Sequence, residues 1–274
     1  MNQLHAQNLC VGYEDTIVID DLSVHVPPGQ ITAIVGANGS GKSTLLKTFA
    51  RILKPFAGCV YLDGKEIHAT PTRELARRMS ILPQQAQAPE ALTVYELASY
   101  GRYPHRKWLR GSNGDDAHMI RWALETVGLG CLQERTVNSL SGGQQQRVWI
   151  AMTLAQDASY MLLDEPTSHL DTCHQLEIME LLLRLNRREN KTIVMVLHDL
   201  NLAARYAHHM IALRDGGIVA AGIPEKVMTR NMLFDVFGID AHVMRDPRNG
   251  SPMCIAYAAP RVHDLQERQD CLLH

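Results

Sequence analysis

The chain lacks the features that mark several large protein classes. Its formal net charge is only -2, whereas a nucleic-acid-binding surface usually shows a strong basic excess. No apolar run approaches the ~18 to 20 residues that a membrane-spanning helix needs, and no signal-peptide pattern opens the sequence. We therefore expect no nucleic-acid partner, and we expect any role at a membrane to depend on a partner protein.

Cysteine and histidine are present, but they form no pattern typical of a metal site. The six cysteines are scattered without a C-x-x-C pair, which argues against a zinc site or a disulfide framework and fits a reducing cytosol. The thirteen histidines show no ligand-like spacing, so we interpret them as ordinary surface or core residues. Hydrophobic residues make up 46% of the 274-residue chain, which is the composition of a globular protein with one large or two modest domains.

Apolar periodicity predicts buried strands and amphipathic helices along most of the chain. Between about residues 88 and 137 the pattern turns mainly helical and irregular, with a polar loop from Gly101 to Gly114, and we interpret this part as an inserted helical lobe. Beyond about Gly238 the sequence becomes short-patterned and polar. The predicted strands are 17–19, 22–26, 31–35, 59–62, 80–83, 160–164 and 192–197, with a hairpin joining 211–213 to 218–220; the predicted helices are 43–50, 72–79, about 142–155, 176–185 and about 200–208.

A complete G-x-x-x-x-G-K-[ST] phosphate loop follows the first buried strand and precedes a helix. Its glycines let the backbone turn tightly, so that successive amides can point at phosphate oxygens at a helix N-terminus. We expect Lys42 to reach the β- and γ-phosphates, the Ser43 hydroxyl to bind Mg²⁺, and Thr44 to contact the α-phosphate. The pattern therefore predicts a nucleoside triphosphate site. Its residues are Gly36, Ala37, Asn38, Gly39, Ser40, Gly41, Lys42, Ser43 and Thr44.

Two adjacent carboxylates, Asp164 and Glu165, close the apolar strand that begins at Tyr160. Core packing explains the apolar strand but not a pair of charges at its end. In phosphoryl transfer a carboxylate of this kind typically holds Mg²⁺, so we assign that role to Asp164. Glu165 is then placed to polarise the attacking water.

A second phosphate-seeking surface is predicted where Ser141, Gly142 and Gly143, followed by Gln144, open a helix. These residues present a hydroxyl and free amides at the positive end of a helix dipole. With Leu140 they spell LSGGQ, which lies between the phosphate loop and the paired carboxylates.

The three motifs in this order resemble the nucleotide-binding subunit of ATP-binding cassette (ABC) transporters. The resemblance extends from about Leu4 to Tyr257 and implies an α/β fold: a P-loop ABC-type ATPase with a RecA-like core, an antiparallel β subdomain and an inserted helical lobe. It places an ABC ATPase domain at 2–238, with the lobe at about 88–155, and a C-terminal extension at 239–274. It also implies a head-to-tail homodimer, in which each ATP lies between one copy's phosphate loop and the other copy's Ser141 to Gln144.

The resemblance assigns roles to further single residues. Gln84 matches the glutamine that contacts Mg²⁺ or water and senses the membrane partner, and His198 matches the histidine that contacts the γ-phosphate. Asp171 matches an aspartate at the dimer interface. Tyr13 matches the aromatic residue that stacks on adenine, although an ordinary surface tyrosine remains an alternative. The implied catalytic residues are Glu165, His198, Gln84 and Lys42, and the implied Mg²⁺ ligands are Ser43, Gln84 and Asp164.

Four short segments are similar to segments of the ATP-binding subunits that serve iron(III)-siderophore importers. They are Tyr100–His105 (YGRYPH), Ile81–Gln84, Leu197–Asn201 and Gly250–Cys254. This likeness implies an ATPase at the cytoplasmic face of the inner (plasma) membrane, where it powers import through permease subunits. A periplasmic or surface-tethered substrate-binding protein would be an indirect partner.

Two alternatives stay open on the sequence alone. One is an importer of haem or cobalamin, whose ATPases share such segments. The other is a soluble ABC ATPase that is not coupled to transport, such as one that assists iron–sulfur assembly. DNA-repair ABC ATPases carry long coiled-coil or zinc-bearing inserts, and the interval before LSGGQ has neither heptads nor cysteine pairs. The tail after about Arg261 suggests no role.

Overall fold

A computed structural model describes residues 3–84, 88–89, 91–106, 114–168 and 170–258. The predicted tail after Arg261, and residues 107–113 of the predicted polar loop, therefore lie outside the described residues. The strands are β1 Leu4–Tyr13, β2 Thr16–Val26, β3 Ile31–Gly36, β4 Ala57–Leu62, β5 Lys65–Glu66, β6 Met79–Leu82, β7 Tyr160–Asp164, β8 Thr192–Val196, β9 His209–Arg214, β10 Gly217–Gly222, β11 Asp240–Arg245 and β12 Pro252–Ala258. The helices are α1 Lys42–Phe49, α2 Thr72–Ala76, α3 Val94–Ser99, α4 Gly114–Thr126, α5 Gly142–Ala155, α6 Thr172–Glu189, α7 Leu200–Tyr206, α8 Pro224–Val227 and α9 Arg230–Phe237.

The central sheet has six strands in the order β10-β9-β3-β8-β7-β6, and all but the β10 edge strand run parallel. Every residue of β3, β7 and β8 is buried, because helices or the second sheet cover both faces of these strands. This is why the sequence shows continuous apolar runs there rather than alternation. The carboxyl ends of β3, β6, β7 and β8 lie at one edge of the sheet.

Two hydrophobic cores lie on opposite faces of this sheet, and neighbouring residues of one strand belong to different cores. Met195 of β8 packs on the side of helices α4 to α7, whereas Val194 and Val196 pack with α1 and the second sheet. This follows from the two-residue period of a strand. The second sheet is antiparallel, in the order β2-β1-β4-β5.

The helical lobe contains α3, α4 and α5. The prediction of a polar loop beginning at Gly101 is wrong for residues 101–105, because Tyr100–His105 form a 3₁₀ helix. The buried Arg102 holds this turn in place: its Nε donates to Asp116 Oδ1 at 2.8 Å, and its Nη1 donates to the Ala155 carbonyl at 2.8 Å. Both partners are distant in sequence, so local pattern could not reveal them.

Two helices end earlier than predicted, because residues beyond their ends form backbone hydrogen bonds with neighbouring strands. The helix predicted over 72–79 ends at Ala76, and Met79 already belongs to β6, which pairs with Tyr160 of β7. The helix predicted to reach His208 ends at Tyr206, because the His208 amide donates to the Ile31 carbonyl at 2.8 Å. The predicted hairpin is confirmed as β9 and β10.

Beyond Gly238 the chain is more regular than its polar pattern indicates. Gly238 ends α9 in the left-handed conformation, with φ of 62°, as a helix C-cap commonly does. Strands β11 and β12 then form an antiparallel hairpin. The division of the chain at residue 238 stays a prediction. Among the described residues, we find no helix with the length and apolar character that crossing a membrane would require.

Breaking the buried Arg102–Asp116 pair should destabilise the lobe. We expect Asp116→Ala to lower the free energy of unfolding by about 3–5 kcal/mol, since it leaves a buried guanidinium without its carboxylate. Urea unfolding of the full chain would measure this. Asp115→Ala is the matched control, because Asp115 is the exposed neighbour in the same turn of α4, and we expect it to cost no more than about 1 kcal/mol. Equal losses for the two variants would contradict the prediction.

Candidate active site

The phosphate loop connects β3 to α1 in a conformation that needs glycine at two positions. A Cβ at Gly36 would lie 2.3 Å from the Leu213 carbonyl oxygen, and Gly41 has a φ of 97°. Gly41 precedes the first turn of α1, and no side chain caps that helix. Because the first amides of a helix have no intrahelical acceptor, this helix start is suited to bind an anion.

Lys42 lies inside the loop, where only 6% of the residue is exposed. Its Nζ donates to the carbonyls of Gly36 and Ala37, both at 2.9 Å. Burial lowers the pKa of Lys42, while the carboxylates of Glu165 and Asp164 act in the opposite direction. The loop thus fixes an ammonium group where the sequence predicts the β- and γ-phosphates.

Ser43 and Asp164 meet although they are 121 residues apart. The Ser43 hydroxyl donates to Asp164 Oδ1 at 2.9 Å. Burial raises the pKa of the Asp164 carboxyl, which is only 2% exposed, and the Ser43 hydrogen bond opposes that rise. A hydroxyl and a carboxylate are the hard oxygen ligands that Mg²⁺ prefers, so these two residues fit the predicted metal.

Glu165 is the centre of the site. Its Oε2 accepts from Gln84 Nε2 at 2.8 Å, and its Oε1 lies 2.6 Å from His198 Nε2. Its φ of 52° is in the left-handed region, which is uncommon for a residue other than glycine and is often found at functional sites. Three residues predicted from three separate strand ends are therefore in direct contact.

A cavity of about 550 Å³ contains this edge of the sheet, and its size is within the range of small-molecule sites. Tyr13, 43% exposed, forms part of its wall. A larger cavity, about 820 Å³, lies at the other end of the sheet, around Tyr160 and Lys191. It contains none of the predicted site residues, and the Lys191 ammonium is already bound by the Ala158 carbonyl at 2.9 Å. The residues that line the first cavity are Tyr13, Val18, Asn38, Gly39, Gly41, Lys42, Ser43, Thr44, Gln84, Glu165 and His198.

The LSGGQ segment begins α5 but does not line that cavity among the described residues. Ser141 caps the helix: its hydroxyl accepts from the Gln144 amide at 3.3 Å, and Gln144 Oε1 accepts from the Ser141 amide at 3.2 Å. Ser141 and Gly142 are exposed, whereas Gly143 is buried. The second phosphate-seeking surface thus lies outside the site of its own chain.

His174 is a residue that the sequence analysis missed. Asp171 caps α6 by accepting the His174 amide at 2.9 Å, and its other oxygen lies 2.9 Å from His174 Nδ1. These hydrogen bonds lower the pKa of Asp171. The His174 ring also touches Gly143, where an added Cβ would lie 2.9 Å from it. The D-x-x-H spacing at a helix start was the available signal; the neighbouring His169 lies outside the described residues.

Tyr13 provides a test of base stacking. We expect Tyr13→Ala to weaken ATP binding by roughly 1 kcal/mol, or about fivefold in Kd, since the ring supplies apolar stacking area. Tyr13→Phe keeps the ring and should stay within about twofold of the original chain. Calorimetric titration with ATP, and with inorganic tripolyphosphate as a ligand without a base, would measure this. An equal loss for both ligands in Tyr13→Ala would contradict stacking.

The chain is similar in sequence to known proteins over most of its length. A family model described as "ABC transporter" matches residues 19–168. The iron(3+)-hydroxamate import ATP-binding protein of Bacillus subtilis (strain 168) is 51% identical, over 94% of this chain and 96% of the relative. The ferric enterobactin transport ATP-binding protein of Escherichia coli (strain K12) is 44% identical, over 92% of this chain and 93% of the relative.

Solved structures show the same fold. An inward-facing transporter described as of the metal-chelate type superposes with a TM-score of 0.82 at 27% identity, over 94% of this chain and 98% of that chain. A dimeric bacterial ABC transporter cassette superposes with a TM-score of 0.71 at 30% identity, over 80% of this chain and 98% of that chain. The predicted fold class and the prediction of an ABC-type ATPase are confirmed. With its phosphate loop, LSGGQ helix and paired carboxylates in one matching fold, this chain belongs to the ABC transporter family as an ATP-binding subunit.

Proposed function

We propose that this chain hydrolyses ATP to power the import of an iron(III)-siderophore complex through a membrane permease. The contact of Glu165 with both Gln84 and His198, beside the phosphate loop, carries the hydrolytic part of the proposal. The iron-chelate part is supported by the two relatives, whose names describe iron(3+)-hydroxamate import and ferric enterobactin transport. The same names favour an import subunit over a soluble ATPase.

The residues at the cavity have separate roles in ATP hydrolysis. Tyr13 stacks on the adenine, the loop amides and Lys42 hold the phosphate chain, and Glu165 polarises the attacking water. Gln84 and His198 orient the Glu165 carboxylate from two sides. Ser43 and Asp164, with Gln84, would hold Mg²⁺, which when bound neutralises charge on the β- and γ-phosphate oxygens.

Two copies of the chain are needed to complete each site. Ser141 and Gly142 are exposed and lie outside their own chain's cavity, so the exposed start of α5 is accessible to the ATP of a second copy. The solved dimeric cassette of the family supports this arrangement. Asp171 lies near this surface through its contact with His174, which touches Gly143. Hydrolysis removes the γ-phosphate contacts that hold the two copies together.

The 3₁₀ turn Tyr100–His105 is the surface on which the permease docks. Arg73 Nε and Arg77 Nε both donate to the Pro104 carbonyl, at 2.8 and 3.0 Å, and His105 Nε2 lies 2.9 Å from the Gln156 carbonyl. This network and the buried Arg102 hold the turn rigid, yet Tyr103 is 77% exposed. A fixed backbone that presents an exposed aromatic ring is typical of a binding anchor. The chain would work at the cytoplasmic face of the inner (plasma) membrane, with a substrate-binding protein as an indirect partner.

Hydrolysis by a two-copy site gives a direct test. We expect Glu165→Gln to keep ATP binding while turnover falls about 100-fold or more, since a general base supplies ~10²–10⁴ in rate. This variant should form ATP-dependent dimers in size-exclusion chromatography with light scattering. Adding Ser141→Arg should leave ATP binding but abolish the dimer. Wild-type hydrolysis by Glu165→Gln, or full activity in a strictly monomeric preparation, would contradict the proposed site.

Co-purification from host membranes tests the transport role. Tagged Glu165→Gln protein, extracted in detergent, should carry a polytopic permease in equal proportion, identified by mass spectrometry. We expect Tyr103→Ala to reduce that permease at least about tenfold, which corresponds to ~1.4 kcal/mol. Phe56→Ala is the matched control, since Phe56 is an exposed aromatic residue (55%) outside the lobe. Soluble partners only, in every detergent, would exclude the permease role while the catalytic assignments stand.

A further inference from the structure

The side chain of Asn201 links helix α7 to the C-terminal hairpin. Its Oδ1 accepts from the Cys254 amide at 2.8 Å, and its Nδ2 donates to the Cys254 carbonyl at 3.1 Å. The asparagine amide thus pairs with both backbone groups of one strand residue, as a neighbouring strand would. In the described part of the chain β12 pairs only with β11. Asn201 therefore supplies the hydrogen-bond partners of Cys254 on the edge of β12 that faces away from β11.

Asn201 also belongs to the first turn of the helix that follows His198. Asp199 caps α7: its Oδ1 accepts from the amides of Asn201 and Leu202, at 2.8 and 2.9 Å. His198 comes directly before this cap, and its Nε2 lies 2.6 Å from Glu165 Oε1. The position of His198 therefore depends on the position of the first turn of α7. The hydrogen bonds between Asn201 and Cys254 hold that turn against the hairpin.

The hairpin can serve as an anchor because it is itself fixed to the core. Ala241 of β11 is 2% exposed and belongs to the larger hydrophobic core, against which Val243 and Cys254 also pack. Burial, and then the nearby Asp199 carboxylate, raise the pKa of the Cys254 thiol. The hairpin thus lies close to both Asp199 and Asn201.

We propose that Asn201 is a positioning residue for His198, and that the C-terminal hairpin acts through it on the ATP site of the same chain. The proposal rests on the proposed function, in which His198 orients the Glu165 carboxylate. Removing the Asn201–Cys254 pair frees the first turn of α7 to shift, and the His198 ring shifts with it. The phosphate loop, which binds ATP, is untouched. The C-terminal extension thereby becomes part of the catalytic apparatus rather than an appendage.

Steady-state hydrolysis by the full-length chain tests this inference. We expect Asn201→Ala to lower kcat by about 10-fold to 100-fold with KM for ATP unchanged, since a misplacement of about 1 Å can cost ~100-fold. Asn201→Asp keeps the acceptor for the Cys254 amide and loses the donor, so its kcat should fall less. Asn231→Ala is the matched control, because Asn231 is an exposed asparagine on α9, and its kcat should match the original chain.

A double-mutant cycle separates positioning from a general loss of structure. In the His198→Ala background, Asn201→Ala should cause no further loss, because the residue that it positions is already gone. An equal loss in both backgrounds would overturn the proposal, as would a raised KM with unchanged kcat. Thermal unfolding would be measured for every variant. If both Asn201 variants unfold below the assay temperature, the pair is a stability element and the proposal is wrong.

The failure of this inference can be told apart from failure of the proposed function. If His198→Ala alone hydrolyses ATP at the original rate, the catalytic role of His198 is wrong and Asn201 has nothing to position. If His198→Ala is inactive and Asn201→Ala is fully active, the role of His198 stands and only the inference about Asn201 falls.

Discussion

Parallel pairing of β6, β7, β8 and β3 is the constraint on which the candidate active site depends. Because these strands run in the same direction, Gln84, Glu165, His198 and the phosphate loop all follow strand ends at one edge of the sheet. A shift of one register step between β7 and β8 would exchange the residues of the two cores. The burial that sets the register of the strands therefore also sets the relative positions of the residues in the candidate active site.

The site combines groups whose environments differ in kind. Burial raises the pKa of Asp164 although its hydrogen bond from the Ser43 hydroxyl opposes that rise, whereas Glu165 is held by an amide and an imidazole. Two adjacent residues of the sequence thus have different partners. Asp164 is the last residue of β7, whereas Glu165 follows the strand in a left-handed conformation with φ of 52°.

The sequence predicts a site at the phosphate loop and the paired carboxylates because both are local markers at the ends of strongly apolar strands, and the roles of these residues stay predictions. Gln84 and His198 could be assigned only through the family resemblance, since a single polar residue at a strand end carries little information. The 3₁₀ turn at 100–105 and the C-terminal hairpin were missed for the same physical reason. Arg102 and Asn201 hold these parts through partners 14 to 53 residues away, and no local periodicity reports such contacts.

Helix α5 has different neighbours at its two ends. Its first residues follow the Ser141 cap, and the carbonyl of its last residue, Ala155, binds Arg102 in the turn that carries Tyr103. A 14-residue helix is roughly 21 Å long, and Val148, Ile150 and Leu154 are fully buried along it. Because one continuous helix with a buried face joins the Ser141 cap to the Tyr100–His105 turn, a displacement at either end of α5 moves the other end as well.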